Sequence, residues 1–230
     1  MEAIRNSTTA VQEEAYRLRM SYEQYLRWAD EDVHAEWVDG EVIVFMPPKT
    51  RHQEIVSFLN SLLNFYARFF QLGSVFTAPF EMRLSPAGPS REPDILFVAR
   101  HNLTRLTAER LEGPADLVVE VVSEDSLRRD REQKFAEYQS FGVREYWLVD
   151  SRTAQGGLEA YALNEAGVYQ PLPVEEDVIR SVVLKGFWVR VQWLTAQEMP
   201  DPLMAFAEVV QLPAETLEQL RRLSERGAQG

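Results

Sequence analysis

Glu92-Pro93-Asp94-Ile95-Leu96-Phe97-Val98, Asp116-Leu117-Val118-Val119-Glu120-Val121-Val122-Ser123 and Glu145-Tyr146-Trp147-Leu148-Val149-Asp150 are three short apolar runs, rich in β-branched and aromatic residues. Each reads as a strand. Pro93 marks the first residue of the first one. Between the second and third, Ser123 to Phe141 has helical character and Gly142 at its C-terminal end. A helix crossing between two strands predicts parallel pairing of the Glu120 and Tyr146 strands.

The acids in these runs are out of place for a plain core. Glu120 lies inside Leu-Val-Val-Glu-Val-Val, a pattern of strands buried on both faces. Burying a carboxylate costs several kcal/mol, on the order of 5, unless it is paired or bound to a cation. An ion pair with Arg91 or Arg144 would satisfy it structurally, and a cation site would satisfy it functionally. Asp94 opens its strand and reads either as an edge acid capping a loop or as a second ligand. On the intervening helix, Leu127, Lys134, Tyr138 and Phe141 form one stripe at spacings of seven, four and three. Lys134 therefore faces the sheet, either snorkelling to the rim or reaching Glu120. Asp130, one turn earlier, is placed to pair with it.

Two carboxylates on neighbouring strands and an inward lysine suit metal-assisted hydrolysis. Asp94, Glu120 and a backbone carbonyl near Val121 would hold one divalent cation together with waters, and Lys134 would orient the attacking water or offset phosphate charge. With no cysteine and three scattered histidines (His34, His52, His101), oxygen ligands and hence Mg²⁺ or Mn²⁺ are favoured.

Working outward, Ser21 and Gln24 form a capping-box pattern before a short helix running to about Asp30. Asp39-Gly40 between β-prone runs predicts a hairpin. Thr50 to Gln71 is the longest helix, with a stripe of Ile55, Val56, Leu59, Leu62, Leu63, Tyr66, Phe69 and Phe70. Ser74 to Leu84 reads as one long strand, and His101 to Gly113 as a polar connection. After Asp150 come four more strand candidates, Leu158–Leu163, Val168–Leu172, Val178–Leu184 and Phe187–Trp193, then a polar helix, Ala214 to Arg226. Residues 1–20 read as an arm, with a helix possible over Gln12 to Met20, and residues 196–230 as a helical tail. Glu36 reads as a hairpin-edge acid or a third metal-side carboxylate, and His52 as a satisfied half-buried histidine or a site residue.

The 230 residues carry a net charge of -12. That opposes bulk electrostatic attraction to nucleic acid, although Arg128, Arg129, Arg131 and Lys134 cluster locally. No long apolar run and no basic-then-apolar leader is present, so neither a membrane span nor a signal peptide is expected. A cytoplasmic location is the expectation.

Taken together, Tyr22-Glu-Gln-Tyr-Leu, Glu36-Trp-Val-Asp-Gly-Glu-Val, Pro48 to His52, Glu92-Pro-Asp94, Val119-Glu-Val-Val-Ser123, Asp130-Arg-x-x-Lys134-x-x-x-Tyr138 and Gly142 to Asp150 resemble the Uma-two family of bacterial restriction endonucleases, within the PD-(D/E)XK nuclease superfamily. The resemblance spans roughly residues 20–195. It implies an α/β (α+β) fold with a restriction-endonuclease-like core, in which helices flank a central mixed sheet, and with added antiparallel hairpins. It also implies a domain over 21–195, Mg²⁺ or Mn²⁺ at Asp94 and Glu120, and DNA as substrate. Val122 stands where the superfamily's lysine usually lies, and Lys134 is the matching candidate from the next helix. Two other readings stay open: a catalytically silent module of the same fold, and a hydrolase of a small phosphate ester. Trp188 and Trp193, read as exposed, would support a homodimer.

Overall fold

The computed structural model describes residues 16–29, 34–45, 49–122, 129–152 and 157–227. Two six-stranded sheets form the frame. The first takes β1 (Tyr16–Arg19), β2 (Ala35–Val38), β3 (Glu41–Val44), β5 (Glu81–Arg83), β6 (Ser90–Arg91) and β8 (Arg110–Glu112), in the order β1-β3-β2-β6-β5-β8. The second takes β4 (Gly73–Thr77), β7 (Ile95–Ala99), β9 (Leu117–Val122), β10 (Glu145–Asp150), β11 (Leu158–Leu163) and β12 (Tyr169–Pro171), in the order β12-β11-β10-β9-β7-β4. β9 and β10 are parallel, as the crossover requires, and the other pairs of this sheet are antiparallel. A separate pair, β13 (Val178–Arg180) and β14 (Trp188–Arg190), completes the strands.

Period-two alternation divides the second sheet between two cores. Ile95, Phe97, Leu117, Val119, Val121, Trp147 and Val149 face α2 (Thr50–Phe69), whose Ile55, Leu59, Leu62 and Leu63 are fully buried. Leu96, Val98, Val118, Val122, Tyr146 and Leu148 face the other way, onto Tyr138 of α3 (Phe135–Phe141). Glu120 shares the parity of Val118 and Val122 and so enters this second, α3-side layer. Gly142 ends α3 in the left-handed region (φ 86°). The Ser21–Gln24 capping box is formed at α1 (Tyr22–Trp28). Asp39 and Gly40, both at positive φ, make the β2–β3 turn.

Several sequence expectations change. Residues 16–19 form the edge strand β1 on β3 rather than part of a helix, because the hairpin offers them a hydrogen-bond ladder. The expected long strand over Ser74 to Leu84 breaks at Ala78-Pro79, and its halves enter different sheets. Pro79 has no N–H to continue a ladder. The polar connection after Ala99 holds a 3₁₀ turn (Arg100–Arg105) and β8. The helix expected from Ser123 is described from Arg129 onward, as a π-helical turn (Arg129–Lys134) leading into α3, and Leu127 lies outside the described residues.

Trp188 and Trp193 are buried and stacked on each other, with ring centroids 5.4 Å apart, so they offer no exposed surface to a second copy. The short α4 (Val191–Thr195) carries Trp193. Beyond it, α5 (Pro202–Val209) sends Ala205 and Val209 into the α2 core, and Phe206 packs against Phe65 and Phe69. The stripe of α2 runs out at its C-terminal end, where Phe69 and Phe70 remain exposed. α6 (Ala214–Gly227) follows. No described helix is long and apolar enough to cross a membrane.

Glu145 fastens the β13–β14 pair to the main sheet. Fully buried, it accepts hydrogen bonds from Trp147 Nε1 (2.6 Å), Ser181 Oγ (2.9 Å), Val182 N (2.9 Å) and Val183 N (2.8 Å). Glu145→Ala strands these donors and is expected to cost about 3 kcal/mol or more in urea unfolding, against about 1 kcal/mol for Ser181→Ala. Equal costs would show that Glu145 does not organise the contact.

Candidate active site

The site forms where the chain passes from one sheet to the other. β6 ends at Arg91 in the first sheet and β7 starts at Ile95 in the second. The three residues between, Glu92-Pro93-Asp94, therefore lie on the seam. Pro93 removes one N–H there, and the backbone leaves the ladder without stranding a donor. β7 pairs with β9 through Ile95↔Val119 and Leu96↔Val118. Extending that register by one residue sets Asp94 opposite Glu120, on the same face.

Asp94 is fixed by two donors on one oxygen. Val121 N lies 2.7 Å from Oδ2 and His52 Nε2 lies 3.2 Å from it. The N–H and C=O of a residue in an extended strand point the same way, so the Val121 carbonyl also faces the Asp94 side. Burial works against the Asp94 charge, but the His52 hydrogen bond and the Val121 N–H hold its carboxyl below the usual range. Burial likewise opposes the His52 charge, and the Asp94 partner raises its pKa on balance.

Glu120 is held from the other side. Its Oε1 accepts from Lys134 Nζ (2.9 Å) and Tyr138 Oη (2.8 Å). Lys134 Nζ also lies 2.9 Å from Glu36 Oε1 and 3.6 Å from Asp130 Oδ1. The expected stripe thus does turn Lys134 inward, and the π-helical turn sets Asp130 beside it. Glu36 is completely buried on β2, where Arg91 Nη1 reaches its Oε2 at 2.8 Å and Glu92 N its Oε1 at 3.3 Å. The remaining Arg91 donors clasp Glu137 of α3. Arg91 therefore serves Glu36, and Arg144 lies near Asp116; neither is the Glu120 partner.

Charge is unbalanced in this cluster. Glu36, Glu92, Asp94, Glu120 and Asp130 are all within or beside it, against Lys134, Arg91 and Arg129. Lys134 stays charged because, although burial opposes it, Glu120, Glu36 and Asp130 surround it. Burial also opposes the Glu36 charge, yet Lys134 and Arg91 keep Glu36 well below the usual carboxylate range. Burial pushes Glu120 up to about 8, with Asp130, Asp94 and Glu36 adding to the effect against Lys134. Glu92 is pushed up to about 8 by burial and by Glu36.

Holding both acids up to about 8 reflects this crowding, and an added cation beside Glu120 would favour its ionised form. The two contacts above to Asp94 use Oδ2 and those to Glu120 use Oε1, so the other oxygen of each takes no part in them. Among the described residues no group of three or more His, Asp and Glu side chains is arranged to hold a metal by itself. Two carboxylates and a backbone carbonyl completed by water still suit Mg²⁺, which dehydrates reluctantly and keeps several waters.

Sequence reading brought Asp94, Glu120 and Lys134 together and left Glu36 and His52 open. Geometry places both of the latter in the cluster. It sets Asp130 beside Lys134 as expected, adds Tyr138 and Arg91 as direct partners, and places the trio Tyr25, His34 and Glu92 beside them. Glu92 Oε2 is 3.6 Å from His34 Nε2, and its Oε1 is 3.4 Å from Tyr25 Oη. Tyr138 was visible as the next member of the Lys134 stripe. Arg91 had been a candidate partner for Glu120 and proves to serve Glu36 instead, and Glu92 had only its closeness in sequence to Asp94 as a signal.

A family model named Uma2 and described as "Putative restriction endonuclease" matches residues 22–195. Among solved structures, the chain is similar to one described as a putative nuclease belonging to DUF820 from Anabaena variabilis. The TM-score is 0.59 at 16% identity, over 75% of this chain and 96% of that one. At that identity the likeness concerns the fold. No curated protein matches the chain.

In EDTA, stability should fall as pH rises from about 5 to about 8. Folded Glu120 and Glu92 keep their protons to about 8, whereas an unfolded glutamate releases them near about 4.3. Unfolding therefore releases protons in this window, and higher pH favours it. Glu120→Gln removes its share of the slope, and the difference between the two proteins cancels the histidines. Parallel urea-unfolding profiles for wild type and variant across this window would contradict the assignment.

Proposed function

Since the chain belongs to the Uma2 family, we propose that it is a divalent-metal-dependent endonuclease hydrolysing DNA phosphodiester bonds, with Asp94, Glu120 and Lys134 as its catalytic residues. The observation that carries this reading is the β7–β9 register, which continued by one residue sets Asp94 opposite Glu120, together with the Lys134 ammonium 2.9 Å from Glu120. Asp94, Glu120 and the Val121 carbonyl would hold Mg²⁺ or Mn²⁺. The cation supplies Lewis acidity and makes a water more acidic.

The chain's own groups do the rest. His52 and the Val121 N–H fix the Asp94 rotamer, as outer partners of a metal-binding carboxylate do. Lys134 presents N–H donors beside Glu120, where they orient the attacking water or offset charge gathering on the phosphate. Glu36 and Asp130 keep that lysine protonated and hold its side chain in place. Tyr138 restrains Glu120 from the α3 side.

One observation favours the silent-module reading. Lys134 is only 3% exposed and already lies near three carboxylates, as a purely structural ion cluster would have it. Nicking of supercoiled plasmid in Mg²⁺, Mn²⁺ or EDTA separates the two. Metal-dependent nicking is expected for wild type and a fall of at least about 100-fold for Asp94→Ala and Glu120→Gln. Lys134→Ala also leaves Glu36 and Glu120 short of their cation, at about 3–5 kcal/mol of stability, so Lys134→Arg accompanies it. A folded Lys134→Arg protein that binds Mn²⁺ but nicks poorly supports the lysine's chemical role. A folded wild type that neither binds Mn²⁺ calorimetrically nor nicks leaves the silent module.

A further inference from the structure

The strongest feature outside the acid–lysine core is the rim formed by His34, Phe45 and Arg129. Phe45 follows β3, and its N–H bonds to the His34 carbonyl at 3.0 Å. The His34 ring lies against the Phe45 ring at a centroid distance of 4.9 Å and an angle of 42°. The Arg129 guanidinium sits over the same ring, 4.7 Å from its centroid. Both flanking residues adjoin the acid cluster, His34 through Glu92 and Arg129 through Asp130 at 3.5 Å. His34 Nε2 faces Glu92 Oε2 and Arg129 Nε faces Asp130 Oδ1, so each basic side chain of the rim is held at the edge of the acid cluster by one nitrogen. Side-chain exposures of 34% for His34 and 21% for Arg129 leave part of each open to solvent beside the acids.

Several surface cations among the described residues are already paired with acids. Arg17 and Arg19 share Glu41, Arg110 sits among Glu81, Glu109 and Glu112, Arg131 pairs with Glu159, and Arg190 with Glu208. These local pairs cancel the charge that would follow two phosphate backbones, and the whole chain carries -12. The acids themselves are recessed, with side-chain exposures of 13% for Asp94 and 5% for Glu120. A rigid duplex presents its phosphates on a broad cylinder. A single strand can thread one phosphate inward and lay its base on an aromatic ring.

Building on the nuclease reading above, we propose that the site takes single-stranded or frayed nucleic acid, with a base stacked on Phe45 and an adjacent phosphate bound by Arg129 and His34. Stacking tolerates any base, because each has a π-face, and Arg adds a cation–π contribution. Strand selection then comes from the rim and hydrolysis from the acids behind it.

The test is fluorescence anisotropy with a labelled oligothymidylate and with its duplex on oligoadenylate, in Ca²⁺ at two salt concentrations. The single strand should bind at least about tenfold more tightly than the duplex, and Phe45→Leu, which keeps an apolar side chain there, should erase most of that margin. Arg129→Gln should weaken single-strand binding and flatten its salt dependence. Equal or tighter duplex binding, no binding of either form, or an unaffected Phe45→Leu protein would overturn the proposal. Mn²⁺ calorimetry on the same wild-type sample separates two failures. If metal binds without strand preference, only this inference falls; if no metal binds, the nuclease reading beneath it falls as well.

Discussion

One ammonium group holds the centre of this molecule together. Lys134 Nζ lies between Glu120 of the second sheet, Glu36 of the first and Asp130 of its own helical turn. Burying those acids separately would cost far more than the fold's other polar contacts return, and burying the lysine alone would be as unfavourable. Grouped, they satisfy one another, and the grouping fixes three distances at once. The crossover helix must stand at a set height over β9, the first sheet must approach the second at Glu36, and α3 must present Tyr138 to the same carboxylate.

The seam between the sheets follows from this constraint. Five consecutive residues, Ser90 to Asp94, leave β6 and reach β7, and three of them carry charges that enter the cluster. Arg91 ties Glu36 to Glu137, Glu92 lends its N–H to Glu36 and its side chain to His34, and Asp94 meets Val121 and His52. The large apolar layer between α2 and the second sheet supplies rigidity, and the polar seam spends it on positioning. His52 shows the link most directly. It leaves the first turns of a helix whose later residues are fixed in the core, so its ring reaches Asp94 from a firm base.

Much of this was legible in the chain because the signals were local. An acid inside a six-residue apolar strand and a lysine on the one apolar stripe of a helix are anomalies that a short window exposes, and Asp94, Glu120 and Lys134 came from such windows. Glu36 was ambiguous for the opposite reason. Its partners lie 55 and 98 residues away in sequence (Arg91 and Lys134), and nothing near Glu36 distinguishes a hairpin-edge acid from a buried one. The break at Ala78-Pro79 was underread because both flanks favour strand, and only tertiary pairing sends them to different sheets. Trp188 and Trp193 were read as exposed, whereas tertiary folding of β14 and α4 buries them against each other, a contact that no short window of sequence displays. Residues 202–209 carried too weak a pattern to reveal that α5 shields the far side of α2.

The placement of Lys134 on the crossover rather than on β9 also bears on how the site comes into being. Strands β7 and β9 can meet as soon as both exist, and their register alone brings Asp94 and Glu120 face to face. In that state two carboxylates confront each other without the ammonium that balances them. The counter-charge arrives with the segment that next leads into β10, so correct docking of the crossover and neutralisation of the acid pair are one event. A lysine two residues after the second acid would have come with the strand itself. Here, a chain truncated before the crossover keeps the His52 and Val121 partners of Asp94 but lacks both Lys134 and Tyr138 at Glu120, so the unfinished pair penalises any arrangement that leaves the crossover undocked.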